Sequence, residues 1–183
     1  MHKQMKLFLA VQSFFALASG MFGPIYAIFV QNIGGDMLSA GSAMSIFMIT
    51  SGIGILLMGK MQDKAKKDKP FMMAGYALMS LAFLGYFFVS SVSQLFLVQI
   101  LLGISTVIVT PARDSFYTKY LDKGKYASGW AAWESAWFIV TGIAALIGGF
   151  LAKIYNFKIL FLVMFITSLI GLFFAMQLKD NNG

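Results

Sequence analysis

Arg113 and Asp114 close an uncharged run that begins at Pro70, and Glu134 stands before another that lasts to Ala152. An ionisable group set that deep in apolar sequence costs at least ~2.5–3.5 kcal/mol on insertion into a bilayer, unless it is paired or wet. For a carboxyl at such depth the available chemistry is carriage of a coupling proton or contact with a cationic solute. Glu134 is the candidate for that role, with Arg113 biasing its protonation. The plainer reading is a structural ion pair, either Arg113–Glu134 or Arg113–Asp114. Trp130, Trp133 and Trp137 follow 3-and-4 spacing. They are expected to share a helix face with Glu134, as packing or as walls for a flat or cationic molecule.

Other chemistries lack their residues. The chain has no cysteine, and its one histidine, His2, sits at the terminus. That leaves no thiol chemistry, no Cys-based metal site and no histidine for catalysis. No G-x-x-x-x-G-K-[ST] phosphate loop occurs. Neither an enzyme nor a bound cofactor is expected.

The elements that must position these residues are membrane spans. Of 183 residues, 59% are hydrophobic and 11% charged, against roughly 25% charged in a soluble domain. Mean hydropathy is +0.79. Uncharged runs cover 7–35, 37–59, 70–112, 135–152 and 159–178, and about 20 apolar residues cross the ~30 Å hydrocarbon core. The run from 70 to 112 is too long for one span, and SSVSQ at 90–94 splits it. Six transmembrane helices are predicted at about 6–30, 39–59, 71–90, 94–118, 126–152 and 157–178. The third and sixth, rich in Phe, Met and Leu, read as outer, lipid-facing helices with structural side chains. Gly20, Gly23 and Pro24 predict a kink or hinge in the first span. The first run is too long for a signal peptide and lacks a small-residue cleavage site.

Lysine placement orients the spans and explains the net charge of +7 without a nucleic-acid partner. Twelve of the fourteen Lys and Arg residues fall on one side, and only Lys153 and Lys158 on the other. The positive-inside rule makes the richer side cytoplasmic, with both termini there, in the cell (plasma or inner) membrane. The twelve-residue stretch GKMQDKAKKDKP (59–70) becomes the cytoplasmic loop between spans two and three. If the fifth span starts near Tyr126, Glu134 lies about eight residues, or ~12 Å, into it. Spans four and five turn near Leu121–Lys123, which places Arg113 and Glu134 at similar depth.

Spans two and five match at an offset of 90: SIFMITSGIGILLMG (45–59) lies over SAWFIVTGIAALIGG (135–149). The identities are Ser45/Ser135, Ile49/Ile139, Gly52/Gly142, Ile53/Ile143, Leu56/Leu146 and Gly59/Gly149. The two spans run in opposite directions, so the copies, about 6–91 and 94–178, form 3+3 inverted repeats. Small residues at 52, 54, 59, 142, 144, 148 and 149 mark these two spans as interface helices.

Gly59, Asp63, Lys64 and Lys67 fit the pattern G-x-x-x-D-[RK]-x-G-[RK]-[RK], which this loop resembles at four of six specified positions. Lys66 stands where the pattern has glycine, and Asp68 where it has a basic residue. The pattern is that of the major facilitator superfamily, and the resemblance covers the whole chain, though only one half of a usual twelve-span member. It implies one half of that fold, a single all-α membrane domain resembling the N-terminal half, and a secondary transporter of a small solute with proton coupling open. By the same resemblance Asp63 gates at the cytoplasmic interface between halves, with Arg113 and Asp114 in the gate network. Gln12, Tyr26, Gln99, Thr106 and Thr110, on spans one and four, would line the solute cavity. Two positions depart from the family. Gln99, four residues before Gly103, replaces a frequent arginine, and Ala144-Ala145-Leu146-Ile147-Gly148-Gly149 lacks the proline of the antiporter motif. Both argue against a drug/proton antiporter.

A half-unit with a polar flank cannot leave that flank in lipid, where each unpaired polar group costs several kcal/mol. The expectation is a parallel homodimer, span two of one copy against span five of the other, with Asp63 facing the partner's helix start near Tyr126–Gly129. The competing origin is the first half of a longer transporter. The alternatives in function are an uncoupled facilitator or uniporter, and a non-transporting assembly subunit.

Overall fold

Proline 24 removes a backbone donor, and the first span breaks around it. A computed structural model of the chain describes residues 3–65 and 67–180; His2 and Lys66, noted above, lie outside them. Helix α1 (Lys3–Gly20) stops at the glycine, a 3-10 turn occupies Gly23–Ile25 with Pro24 inside it, and α2 (Tyr26–Asn32) resumes the path. Five further helices follow: α3 (Met37–Ala65), α4 (Lys69–Phe88), α5 (Val92–Lys119), α6 (Tyr126–Ile154) and α7 (Phe157–Ala175). All regular structure among the described residues is helical. Counting α1 and α2 as one, six segments are long and apolar enough to cross a membrane.

Local chemistry sets the helix starts. Ser91 caps α5 by accepting from the Gln94 amide, and Asn156 caps α7 by accepting from the Ile159 amide. Asp36 precedes α3 and accepts from both the hydroxyl and the amide of Ser39. Those bonds, the hydroxyl's first, hold its carboxyl below the usual range. The second span is longer than expected. Its apolar run ends at Gly59, but KMQDKA is built of good helix formers, and α3 continues through Ala65. Gly59, Asp63 and Lys64 therefore ride on a helix rather than in a loop.

Helix α5 packs on α3 and α4, α1 packs on α6 and α7, and α4 meets α7. Phe8, Phe15, Phe22 and Phe29 recur every seven residues along the broken span, and all are buried. Their rings meet partners from the third and sixth spans: Phe15 stacks on Tyr76 at 4.2 Å, and Phe22 meets Tyr86 at 4.9 Å and Phe161 at 5.0 Å. This corrects the picture of those two spans as merely outer helices. Each has an exposed row, such as Leu81 and Phe88 or Ile166 and Phe173, and an opposite row of core aromatics and methionines. The broken span lies directly on α6: a Cβ added at Gly148 would collide with the Met21 carbonyl, and one at Gly20 would come within 2.9 Å of Ala144 Cβ.

The least enclosed helices are α3 and α6. Only 11% of the apolar window of each is buried, against 28–50% in the other four spans. The small residues divide accordingly. Gly54, Ala144 and Gly148 face neighbours within the bundle, whereas Gly52, Gly59, Gly142 and Gly149 look into open space. All six identities shared by the two spans fall away from the core: Ser45, Ile49, Gly52, Ile53 and Leu56 are exposed, as are their counterparts, and Gly59 and Gly149 are half-buried.

Candidate functional site: a cavity along the inner side of α5

Helix α5 sends Gln99, Leu102, Thr106, Thr110 and Arg113 toward the interior at 3-and-4 spacing, one helical face. Two adjoining cavities follow this row, about 250 Å³ and 130 Å³, with Ser19, Phe47, Phe83 and Leu102 in the walls of both. Gln12, Tyr76, Thr106, Thr110 and Arg113 give the larger its polar atoms. Tyr26 and Gln99 give the smaller its polar end. All five residues expected to line a cavity thus line one of these two.

The polar groups are tightly arranged. The Tyr76 hydroxyl donates to Gln12 Oε1, a bond between two buried side chains that fixes the amide's orientation. The Thr106 hydroxyl turns back to the Leu102 carbonyl at 2.9 Å. Gln99 Nε2 donates to the Tyr26 hydroxyl at 2.7 Å, while Gln99 Oε1 is buried with no partner among the described residues. A buried acceptor left unmade costs about 1–3 kcal/mol, which marks this end of the site as ready for a donor.

Arg113 resolves the choice between its two acids. Its Nε donates to Asp114 Oδ1 at 2.9 Å, and its guanidinium carbon lies 4.9 Å from the Trp133 ring centroid. The Arg113–Glu134 pair is not formed. Glu134 is exposed and has no hydrogen bond or ion pair among the described residues. It stands four residues after Trp130 and three before Trp137, near their side of the helix, but away from Trp133. Trp133 is buried against Phe8 and Tyr117, and Trp130 stacks on it at 5.1 Å. Glu134, one residue after Trp133, is turned from it by roughly 100° and is exposed. Depth along the hairpin was right for such a pair; the angle around α6 was wrong.

At the lysine-rich end, Asp63, Lys64 and Lys67 are exposed, and an added Cβ at Gly59 would meet nothing. One of the two residues that depart from the loop pattern is engaged: Asp68 is buried and accepts from Lys119 Nζ at 2.6 Å. Beside it, Asp180 accepts from the Lys69 amide at 2.9 Å, and the Tyr120 hydroxyl donates to the Lys179 carbonyl. The chain segment after α7 is thereby laced to the ends of α4 and α5. Sequence reasoning missed Asp68–Lys119, Tyr76, and Phe47 and Phe83 as cavity walls. A charge reversal at position 68 was the available signal for the first; an aromatic in an apolar helix gives no signal for the others.

Six packed spans around a mostly apolar cavity with a few converging polar groups define one class of protein, a helical membrane protein with an internal cavity. A profile of the Major Facilitator Superfamily matches residues 8–181. The chain belongs to that superfamily and is a multi-pass membrane protein. It is 30% identical over 165 residues to an uncharacterized MFS-type transporter of Methanocaldococcus jannaschii, covering 90% of this chain and 42% of that protein. It is 24% identical over 147 residues to an uncharacterized MFS-type transporter of Bacillus subtilis, covering 79% of this chain and 87% of that protein. The chain thus spans less than half of the archaeal relative and most of the bacterial one.

Proposed function

We propose that this chain is one six-helix unit of a secondary transporter that moves a small solute by alternating access, two copies rocking about the cavity in parallel orientation. The observation that carries the reading is the outer face of α3 and α6. Six identical residues recur there at matched positions, four glycines leave open space, and these two helices are the least covered in the bundle. A second unit docked on that face would bury it, α3 of one copy against α6 of the other, twice. The packing pattern supports the inverted repeat behind this: α5 meets α3 and α4 as α1 meets α6 and α7. In this reading the lysine-rich end and both termini are cytoplasmic, Asp63 gates at the joint, and Glu134 carries the coupling proton at the buried interface.

The test is disulfide capture in native membranes, which the absence of other cysteines makes clean. One tagged copy carries G52C and a differently tagged copy carries I139C, positions near mid-depth on the two faces. A bond joining the two tags is expected under mild oxidation. Its absence, with each copy folded in the membrane, would defeat the dimer.

A second reading, an uncoupled facilitator, draws on one fact: Glu134 stands outside the cavity lining.

A further inference from the structure

We propose that the larger cavity takes an amphipathic organic anion, an apolar body of naphthalene-like bulk carrying a sulfonate, carboxylate or phosphate held by Arg113. The inference rests on reading this cavity as the solute site. Arg113 is the one charged residue in the walls of either cavity, and neither wall contains an Asp or Glu. A cation entering would meet a guanidinium and find no counter-charge; an anion would find its partner. Glu134, the other charge at comparable depth, is not among the lining residues.

The geometry leaves Arg113 available. A guanidinium has five N–H donors. Asp114 takes the Nε hydrogen, Trp133 lies against the group, and the terminal nitrogens make no hydrogen bond among the described residues. That free edge suits two parallel bonds to an oxyanion. Asp114 offsets part of this charge through Nε alone and lies outside the cavity lining, which leaves the terminal nitrogens of Arg113 for a ligand. The rest of the cavity is apolar, with Phe15, Phe47, Met79 and Phe83 around the polar row. The Gln99–Tyr26 pair lies fourteen residues from Arg113 along α5, or roughly 21 Å, too far for one compact ligand to reach both. It forms a second station, and the assignment is confined to the first.

Calorimetric titration of the protein in phosphatidylcholine nanodiscs, with empty nanodiscs as blank, tests this with three probes of one shape: 2-naphthalenesulfonate, neutral 2-naphthalenesulfonamide and 2-naphthylmethylammonium. The sulfonate is expected to bind about tenfold more tightly than the other two, the scale of a charge-assisted bond, and R113Q to erase that preference. Equal or tighter binding of the ammonium, or an unchanged preference in R113Q, overturns the proposal. If R113Q does not fold, R113K decides: it keeps the charge and loses the fork, so sulfonate binding should weaken about threefold with the ammonium unchanged. A lysine variant equal to wild type would contradict the fork. Repeating the titration with phosphatidylglycerol in the nanodiscs separates two sources of the same chemistry. Unchanged sulfonate affinity assigns the site to a free solute, and loss of binding assigns it to a lipid headgroup and overturns the solute. The binding assay needs neither flux nor dimer capture, so a reversed charge preference defeats this assignment alone.

Discussion

Glu134 is the residue whose role depends most on what surrounds it. Alone in the six-helix unit it is exposed and has no partner among the described residues, an arrangement that an apolar bilayer penalises. In the proposed dimer it would become a carboxyl in a confined joint, where protonation and deprotonation can accompany opening and closing. Proteoliposomes with an inward proton gradient and 2-naphthalenesulfonate as probe distinguish the options. A coupled carrier accumulates the probe above equilibrium, and E134Q then only equilibrates it. Accumulation equal in both proteins would remove Glu134 from coupling, and equilibration in both would favour the facilitator. Its neighbours show why sequence reading reached the right depth but not the right side. Depth follows from counting 1.5 Å per residue from a turn, and errors of one residue cost little. Facing changes by 100° per residue, so Glu134 and Trp133 part company although they are adjacent.

Among the elements, the spans were legible and the joints between them less so. Charge-free runs and the SSVSQ turn gave six spans because lipid excludes charge, and Pro24 gave the break in the first. The extension of α3 past Gly59 was not legible, since loss of apolarity marks a membrane edge while lysine and glutamine remain good helix formers. The Asp68–Lys119 pair was equally hidden, because it joins elements 51 residues apart. It clamps the start of α4 to the end of α5. K119A leaves a buried carboxylate without its partner and is expected to cost about 1–2 kcal/mol, less than a fully buried pair because Lys119 is 39% exposed. Adding D68N removes the stranded charge, so the double variant should unfold at a higher temperature than K119A alone. Thermal unfolding in detergent reads this, and a double variant as unstable as K119A or worse would show that the pair holds nothing.

At the scale of the whole molecule, one face of this bundle is unfinished. The core is closed by phenylalanines at seven-residue spacing, and the cavity along α5 is formed within a single copy. The outer sides of α3 and α6 meanwhile expose Ile49, Ile53, Leu56, Ile139, Ile143 and Leu146 around open glycines. Lipid tolerates such a surface, but the repeated pattern on two oppositely directed helices fits a like-built mate better than it fits acyl chains. Rocking of two such units makes a definite demand: the two ends of the joint must open in alternation. Spin labels at a single introduced cysteine report distances between copies only, one set with M61C at the lysine-rich end and one with L38C at the opposite end. Double electron–electron resonance in nanodiscs is expected to give two populations at each site, with long distances at one end matched by short distances at the other as conditions shift. Absence of any dipolar coupling, or a single fixed distance at both ends under every condition, would contradict the account of two copies rocking about a shared axis.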